Sequence, residues 1–167
     1  MKMKTYSIVV SDKFLSKHYK KNRIKNRHLF LNRNKIHAIC NDYQMWEKRI
    51  KEVHNGQAVI SIRKWVGIPY KSKQKEICHF TTNEVDIQKL VFSRSKWTEE
   101  DNKQHFMYWT TVDGTVINID EIAKNDGFPD FVDFVSWFDK DIDKQKPDED
   151  CFKHLELAII HFTKFRY

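Results

Sequence analysis

Short runs of β-branched and aromatic residues, several of which alternate apolar with polar positions, recur along the whole chain. Such runs predict β-strands. The predicted strands cover residues 6–10, 35–40, 58–66, 75–81, 89–93, 106–112, 116–119 and 157–162. The last run is continuously apolar, which indicates a buried strand that closes the fold.

Apolar positions spaced three and four residues apart predict three helices. Asp42 is the expected N-cap of the first helix, and Asn55-Gly56 is its expected end. A short second helix covers residues 120–124, and the third begins at Pro129. The apolar stripe of the first helix comprises Tyr43, Trp46, Ile50 and Val53, and that of the third comprises Phe131, Phe134, Val135 and Phe138.

The predicted strands and helices do not alternate as β-α-β units, which excludes a doubly wound parallel sheet. We therefore expect one α+β domain over residues 1–167, built as a mixed β-barrel of five to seven short strands with about three flanking helices. Two stretches fit neither pattern. The basic, Asn-rich residues 13–34 predict a long functional loop, and the acidic residues 139–153 predict a solvated loop.

Composition narrows the class of protein. Apolar residues make up 40% and aromatic residues 14% of the 167 positions, which is too much for a disordered chain. The longest apolar runs are too short to span a membrane, and the N-terminal run is too short for the core of a signal peptide. Cys40, Cys78 and Cys151 are odd in number and widely spaced, which argues against a disulfide framework or a structural zinc site. We expect a cytoplasmic protein.

The net charge of +7 conceals an asymmetry between the two ends of the chain. Residues 1–35 hold eleven Lys or Arg against one acid, whereas residues 113–150 hold twelve Asp or Glu against four Lys. A basic segment of this density attracts nucleic acid. Because a Lys-rich protein also carries such charge on any solvated surface, charge alone leaves both interpretations open.

Generic catalytic and metal-binding motifs are absent from the sequence. The four glycines form no phosphate-binding loop, and neither a GxSxG elbow nor an HExxH pair occurs. The eight histidines do not recur at ligand spacing, so we expect no metal and no cofactor. His161, inside an apolar run, is predicted to be a hydrogen-bonded core residue rather than a ligand.

One stretch combines cations, hydroxyls and aromatic rings around a bend at residues 67–69. A base stacks on an aromatic face for about 1–3 kcal/mol while neighbouring cations bind the phosphates. The rings could instead cover a barrel end, but the convergence on one bend favours binding. The candidate nucleic-acid-binding residues here are Arg63, Lys64, Trp65, Tyr70, Lys71, Ser72 and Lys73, to which the strand entry at residues 35–40 adds Lys35 and His37.

Five segments carry a resemblance to a known family. In chain order they are KIHAICNDYQMWEKRI, NGQAVISIRKWVGIPYKSKQ, QKL, VDGTVINIDEIAKNDGF and AIIHFTKFRY. Together they resemble a bacterial group of ASCH-domain proteins within the PUA-like superfamily, and the similarity extends from about residue 6 to residue 167. The resemblance implies a barrel of five to six strands with a cleft that binds RNA. Some members are similar to amidohydrolases that deacetylate acetylated cytidine, and ribonuclease activity is ascribed to others.

The amidohydrolase pattern, Lys-x-x-Thr-x-Arg with a distant Glu, carries over only in part. The resemblance places the lysine at Lys35 and the carboxylate at Asp126, but Ala38 and Cys40 stand at the Thr and Arg positions. Ala38 has no hydroxyl to attack an amide, and a thiol at Cys40 lies about 7 Å further along the strand. Lys35 and Asp126 are therefore catalytic candidates only if the protein is an enzyme.

These observations favour a domain that binds RNA or a nucleotide in a basic, aromatic-lined cleft, as a monomer or weak dimer, with no membrane partner. The alternative is an enzyme that hydrolyses a modified cytidine or cuts RNA, with Lys35 and Asp126 required. A third interpretation is a protein-interaction domain whose basic and acidic ends engage partners or a second copy of the chain.

Overall fold

The computed structural model describes residues 3–10, 35–100 and 102–167. The predicted basic loop at residues 13–34 lies outside these ranges. The described chain is an α+β domain of eight strands and three helices. In chain order these are β1 (Lys4–Val9), β2 (His37–Asn41), α1 (Tyr43–His54), β3 (Ala58–Trp65), β4 (Gln74–Phe80), β5 (Asp86–Thr98), β6 (Gln104–Val112), β7 (Thr115–Ile117), α2 (Ile119–Asp126), α3 (Phe131–Asp143) and β8 (Lys153–His161).

The strands form two sheets. One has the order β1-β3-β4, with β1 parallel to β3, and the other has the antiparallel order β2-β8-β5-β6-β7. Within the described ranges the sheets do not join into a closed barrel. All eight segments whose pattern predicts a strand form one, so the five to seven strands expected for the barrel are too few. Even three-residue β7 pairs with β6, across a turn in which Asp113 and Gly114 both have positive φ.

Strand β8 lies between the two halves of the core. Leu157 and Ile159 pack against α2, α3 and the five-stranded sheet, whereas Ala158 and Ile160 pack against α1 and the three-stranded sheet. Because successive side chains of a strand point to opposite faces, a strand buried on both faces is continuously apolar. The predicted buried strand at residues 157–162 is thus confirmed as an element, and it is an interior strand of its sheet.

The first predicted helix is confirmed in its start, its face and its end. The Asp42 side chain accepts a hydrogen bond from the backbone N–H of Met45 at 2.9 Å, which satisfies one of the free donors at the helix start. Trp46, Ile50 and Val53 are buried, and Gly56 follows the helix with a φ of +69°.

The predicted acidic loop at residues 139–153 is wrong in its first part, since α3 continues to Asp143. Phe138 and Ile142 extend the buried stripe by one turn. On the adjacent face, Asp139 and Asp143 both bind the guanidinium of Arg94, which is only 6% exposed. The Arg94 charge compensates the negative charges of Asp139 and Asp143, so these residues lie on a helix although their acidic composition predicts a solvated loop.

Candidate functional site

A cavity of about 410 Å³ lies beside the outer strands of both sheets. Strand β1 is the edge of the three-stranded sheet and β2 is the edge of the five-stranded sheet, so the cavity occupies the gap where the two sheets approach each other. All three helices and the segments next to β2 and α2 supply the rest of its wall. The lining residues are Ser7, Ile8, Val9, Val10, Lys35, Ala38, Ile39, Cys40, Asn41, Trp46, Asp126, Phe128, Trp137, Phe138 and Asp141.

Lys35 and Asp126, 91 residues apart in sequence, meet in this cavity. The Lys35 ammonium lies 3.2 Å from Oδ1 of Asp126 and also donates to the Asp126 backbone carbonyl. The backbone N–H of Ile39 donates to the same Oδ1 at 3.1 Å. Lys35 is only 3% exposed, so the carboxylate and the carbonyl compensate a buried positive charge.

The position of Asp126 explains this geometry. It is the last residue of α2, and Gly127 ends the helix in the left-handed conformation with a φ of +97°. The carbonyl groups of a last helical turn lack intrahelical partners and carry partial negative charge. A cation at this helix end is therefore favourable, and the hydrogen bond from Ile39 helps to hold the carboxylate where the helix dipole disfavours it.

Two buried histidines lie behind the ion pair. His37, fully buried on β2, contacts the hydroxyl of Tyr167 through Nε2 at 2.8 Å, and its Nδ1 lies 3.7 Å from Oδ1 of Asp126. Asn125 also donates to the Tyr167 oxygen, at 2.9 Å. Nδ1 of His37 has no hydrogen-bond partner among the described residues.

Burial sets the protonation of these groups. It lowers the pKa of His37, although Asp126 opposes the effect, and it lowers the pKa of His161 to about 3. Burial also raises the pKa of Tyr167 to about 12. Both histidines are neutral at pH 7. His161 is buried as predicted, but neither ring nitrogen has a hydrogen-bond partner within the described part of the chain, so the predicted hydrogen-bonded histidine is wrong.

Neither side chain at the Thr and Arg positions of the amidohydrolase pattern is suited to nucleophilic attack. Ala38 presents a buried methyl group to the cavity. Burial and the Asp126 charge raise the pKa of Cys40 to about 12, so its thiol is neutral at pH 7. Since the thiolate is the reactive form of cysteine, Cys40 does not replace the missing threonine of the amidohydrolase pattern.

The predicted basic bend is an exposed hairpin loop between β3 and β4. The rings of Trp65 and Tyr70 lie 5.3 Å apart, and Tyr70 is 90% exposed with a φ of +64°. Ser72 is occupied inside the loop, because its Oγ accepts from Gly67 N at 3.0 Å and donates to the Ile68 carbonyl at 2.9 Å.

The cations of this hairpin differ in exposure. Lys71 and Lys73 are exposed, whereas Arg63 and Lys64 are half-buried. No acid of the described residues lies within salt-bridge distance of any of the four.

The predicted site residues therefore separate into two groups. Lys35 and Asp126 line the 410 Å³ cavity, and His37 lies behind them, buried. The hairpin residues Arg63, Lys64, Trp65, Tyr70, Lys71, Ser72 and Lys73 are not part of this cavity lining. The aromatic, basic surface and the cavity are two distinct features.

A Ser–His–Asp chain escaped the sequence analysis. Ser93 Oγ lies 2.8 Å from Nδ1 of His154, whose Nε2 lies 2.9 Å from Oδ2 of Asp148. Ser93 is 2% exposed, so a substrate cannot reach its hydroxyl. The chain fastens the turn before β8 to the sheet. The Ser93–His154 and Tyr167–His37 contacts have no signal in local spacing, because their partners are 61 and 130 residues apart in sequence.

Neither the described residues nor the comparisons with known proteins assign the chain to a class of protein. In the described ranges no three or more His, Cys, Asp or Glu are grouped so as to hold a metal ion. None of the described helices is long and apolar enough to cross a membrane. Comparisons of the chain with protein-family models, curated proteins and solved structures find no match. The resemblance to ASCH-domain proteins accordingly rests on the sequence segments alone and stays a prediction.

Proposed function

We propose that this chain is an RNA-binding domain of the ASCH type, and that the β3–β4 hairpin is its main contact with the strand. The observation that carries this proposal is the Trp65–Tyr70 ring pair between Lys64 and Lys71, in which Tyr70 is exposed and Trp65 half-buried. Exposed aromatic rings flanked by cations are the usual means of holding single-stranded nucleic acid without reading its sequence.

The two kinds of side chain contribute differently to this binding. A base stacked on Tyr70 or Trp65 contributes about 1–3 kcal/mol. Arg63, Lys64 and the exposed lysines of the loop bind phosphates and release counterions. RNA is read mostly as single strands whose unpaired bases stack on aromatic side chains, which is why we propose RNA rather than duplex DNA.

The same proposal extends to the fold. We propose that the two sheets are the halves of a PUA-like barrel and that the 410 Å³ cavity is its cleft. The edge position of both β1 and β2 beside this cavity supports that view. A cavity of this size lies in the range of about 300–1,000 Å³ that holds small organic ligands, so one nucleotide is a fitting occupant.

Fluorescence anisotropy with a labelled ten-nucleotide single-stranded RNA tests the hairpin. We expect the Tyr70→Ala and Trp65→Ala variants to bind about tenfold more weakly, because each loses one stacking face. Lys140→Ala, on the exposed side of α3, is the matched control and should bind like the wild type. Unchanged affinity in both aromatic variants would refute the assignment of the hairpin.

The buried Lys35–Asp126 pair favours a second candidate, hydrolysis of a modified cytidine. The Asp126 carboxylate can take a proton from the attacking group and pass it to the leaving amine, while the Lys35 ammonium stabilises the negative charge that develops on the amide oxygen. With Ala38 and a neutral Cys40 in the cavity, the attacking group has to be water. Chromatographic detection of cytidine from acetylated cytidine tests this candidate, and Lys35→Met should abolish any turnover.

A further inference from the structure

A second cavity of about 220 Å³ shares Lys35 with the first. It lies beside the end of β4, the turn before β5 and the segment after β8. The other residues that line it are Phe80, Asn83, Glu84, Val85, Phe162, Thr163, Lys164 and Arg166. Lys35 is thus part of the wall of both cavities.

The second cavity has one aromatic side. The rings of Phe80 and Phe162 are stacked with centroids 4.7 Å apart, and both side chains are partly exposed. Nearby, Asn83 is exposed and offers an amide donor and acceptor. A flat group with apolar faces and polar edges, such as a nucleobase, matches this combination.

The segment after β8 supplies two cations to this lining. Lys164 is exposed and has no carboxylate of the described residues within salt-bridge distance. Arg166 is held by Asp86 through Nε and Nη2, and by the carbonyls of Thr163 and Phe165 through Nη1. Four of its five N–H groups are thus occupied and one on Nη2 faces no described acceptor.

The acid of this cavity, Glu84, is engaged locally. Its Oε2 accepts from both the backbone N–H and the hydroxyl of Thr81, at 2.8 and 2.9 Å. Arg166 is paired with Asp86 and Lys35 with Asp126, which leaves the exposed Lys164 as the cation of this lining that can bind a phosphate.

The volume of the second cavity limits the size of the ligand that it can hold. At 220 Å³ it is smaller than the range of about 300–1,000 Å³ that encloses a complete small ligand, whereas the first cavity lies within that range. It therefore suits part of a ligand whose remainder lies elsewhere. The shared residue Lys35 indicates where the remainder lies.

We propose that the two cavities bordering Lys35 bind two successive nucleotides of one RNA strand. The second cavity takes a base beside Phe80 and Phe162, and Lys164 binds its phosphate. This inference rests on the proposed RNA-binding function and adds its ligand class: an oligonucleotide of at least two units, not a free nucleoside.

Isothermal titration calorimetry with uridine monophosphate and with the dinucleotide UpU, at fixed salt, tests the second cavity. We expect the wild type to bind UpU about tenfold more tightly than the mononucleotide. Lys164→Ala and Phe162→Leu should each bring the ratio of UpU affinity to mononucleotide affinity close to one, whereas Lys140→Ala should keep the ratio of the wild type. Lys164 is exposed, so its variant reports on the site even if Phe162→Leu destabilises the fold.

The possible results separate the inference from the function beneath it. If the wild type binds both ligands equally, or if both variants keep the dinucleotide gain, the second subsite is refuted while nucleotide binding in the first cavity stands. If the wild type binds neither ligand, the two-cavity site is refuted together with the nucleotide-binding role of the first cavity.

Discussion

The His161→Phe substitution is expected to make the protein less sensitive to mild acid. His161 is fully buried, and its ring lies among the rings of His37, Phe165 and Tyr167. Burial lowers its pKa from 6.5 to about 3; the neighbouring His37 and Arg166 act in the same direction, and Asp86 acts in the opposite direction. Between these two values the unfolded chain binds a proton that the folded chain does not, so stability is lost as the pH falls.

The size of the effect follows from proton linkage. Each pH unit below 6.5 contributes about 1.4 kcal/mol, so the folded state loses about 2 kcal/mol at pH 5 relative to pH 7.5 through His161 alone. Phenylalanine keeps the ring and removes the titration. Because both ring nitrogens lack partners in the described part of the chain, the substitution leaves no hydrogen-bonding group unsatisfied there.

Urea denaturation at pH 7.5 and pH 5.0 measures this difference directly. The fall in unfolding free energy between the two pH values should be about 2 kcal/mol smaller in His161→Phe than in the wild type. Ile159→Val, in the same strand, is the control: it should cost about 1 kcal/mol equally at both pH values. An identical fall in His161→Phe and the wild type would mean that His161 takes up its proton in the folded state, which would refute the reasoning.

Two further predictions concern buried charges and are checked by the same denaturation assay. Asp126→Leu and Lys35→Met should each lower the free energy of unfolding by about 3 kcal/mol, because each leaves a buried partner without its counter-charge. The double variant should lose clearly less than the sum of the two, whereas additive losses would show that the pair is not coupled. Arg94→Met should cost about 2 kcal/mol at pH 7 through Asp139 and Asp143. Arg94 holds the pKa of Asp143 below its usual range, so that cost should shrink as the pH falls below about 4, where the unfolded chain binds this proton before the folded chain does; a cost constant with pH would contradict this.

Local signals predict most of the elements. The Asp42 cap, the 3–4 spacing after it and the Gly56 stop define α1, and alternation defines β3 and β6. Each of these features depends on residues that are neighbours in sequence, so the local pattern predicts it. Strand β5 is longer than its apolar run predicts, because its polar positions from Arg94 onward pair with β6 across the sheet.

Long-range features are less predictable from sequence. The pattern indicates many strands but does not show how they divide into two sheets, because the hydrophobic period of a strand does not identify the strand with which it pairs. Within the site, only the family resemblance predicts that Asp126 and Lys35 belong together. Their contact depends on where α2 ends against β2. The roles of Asn125 and Tyr167 around His37 likewise depend on tertiary packing.

The salt dependence of RNA affinity tests the proposed function most directly. For a labelled ten-nucleotide strand, four phosphate contacts by the hairpin cations predict that the logarithm of the association constant falls with the logarithm of salt concentration at a slope of about −3. The Lys71→Ala/Lys73→Ala variant should have a slope shallower by about 1.4. A slope near zero in the wild type, or an unchanged slope in the variant, would contradict RNA binding through this hairpin.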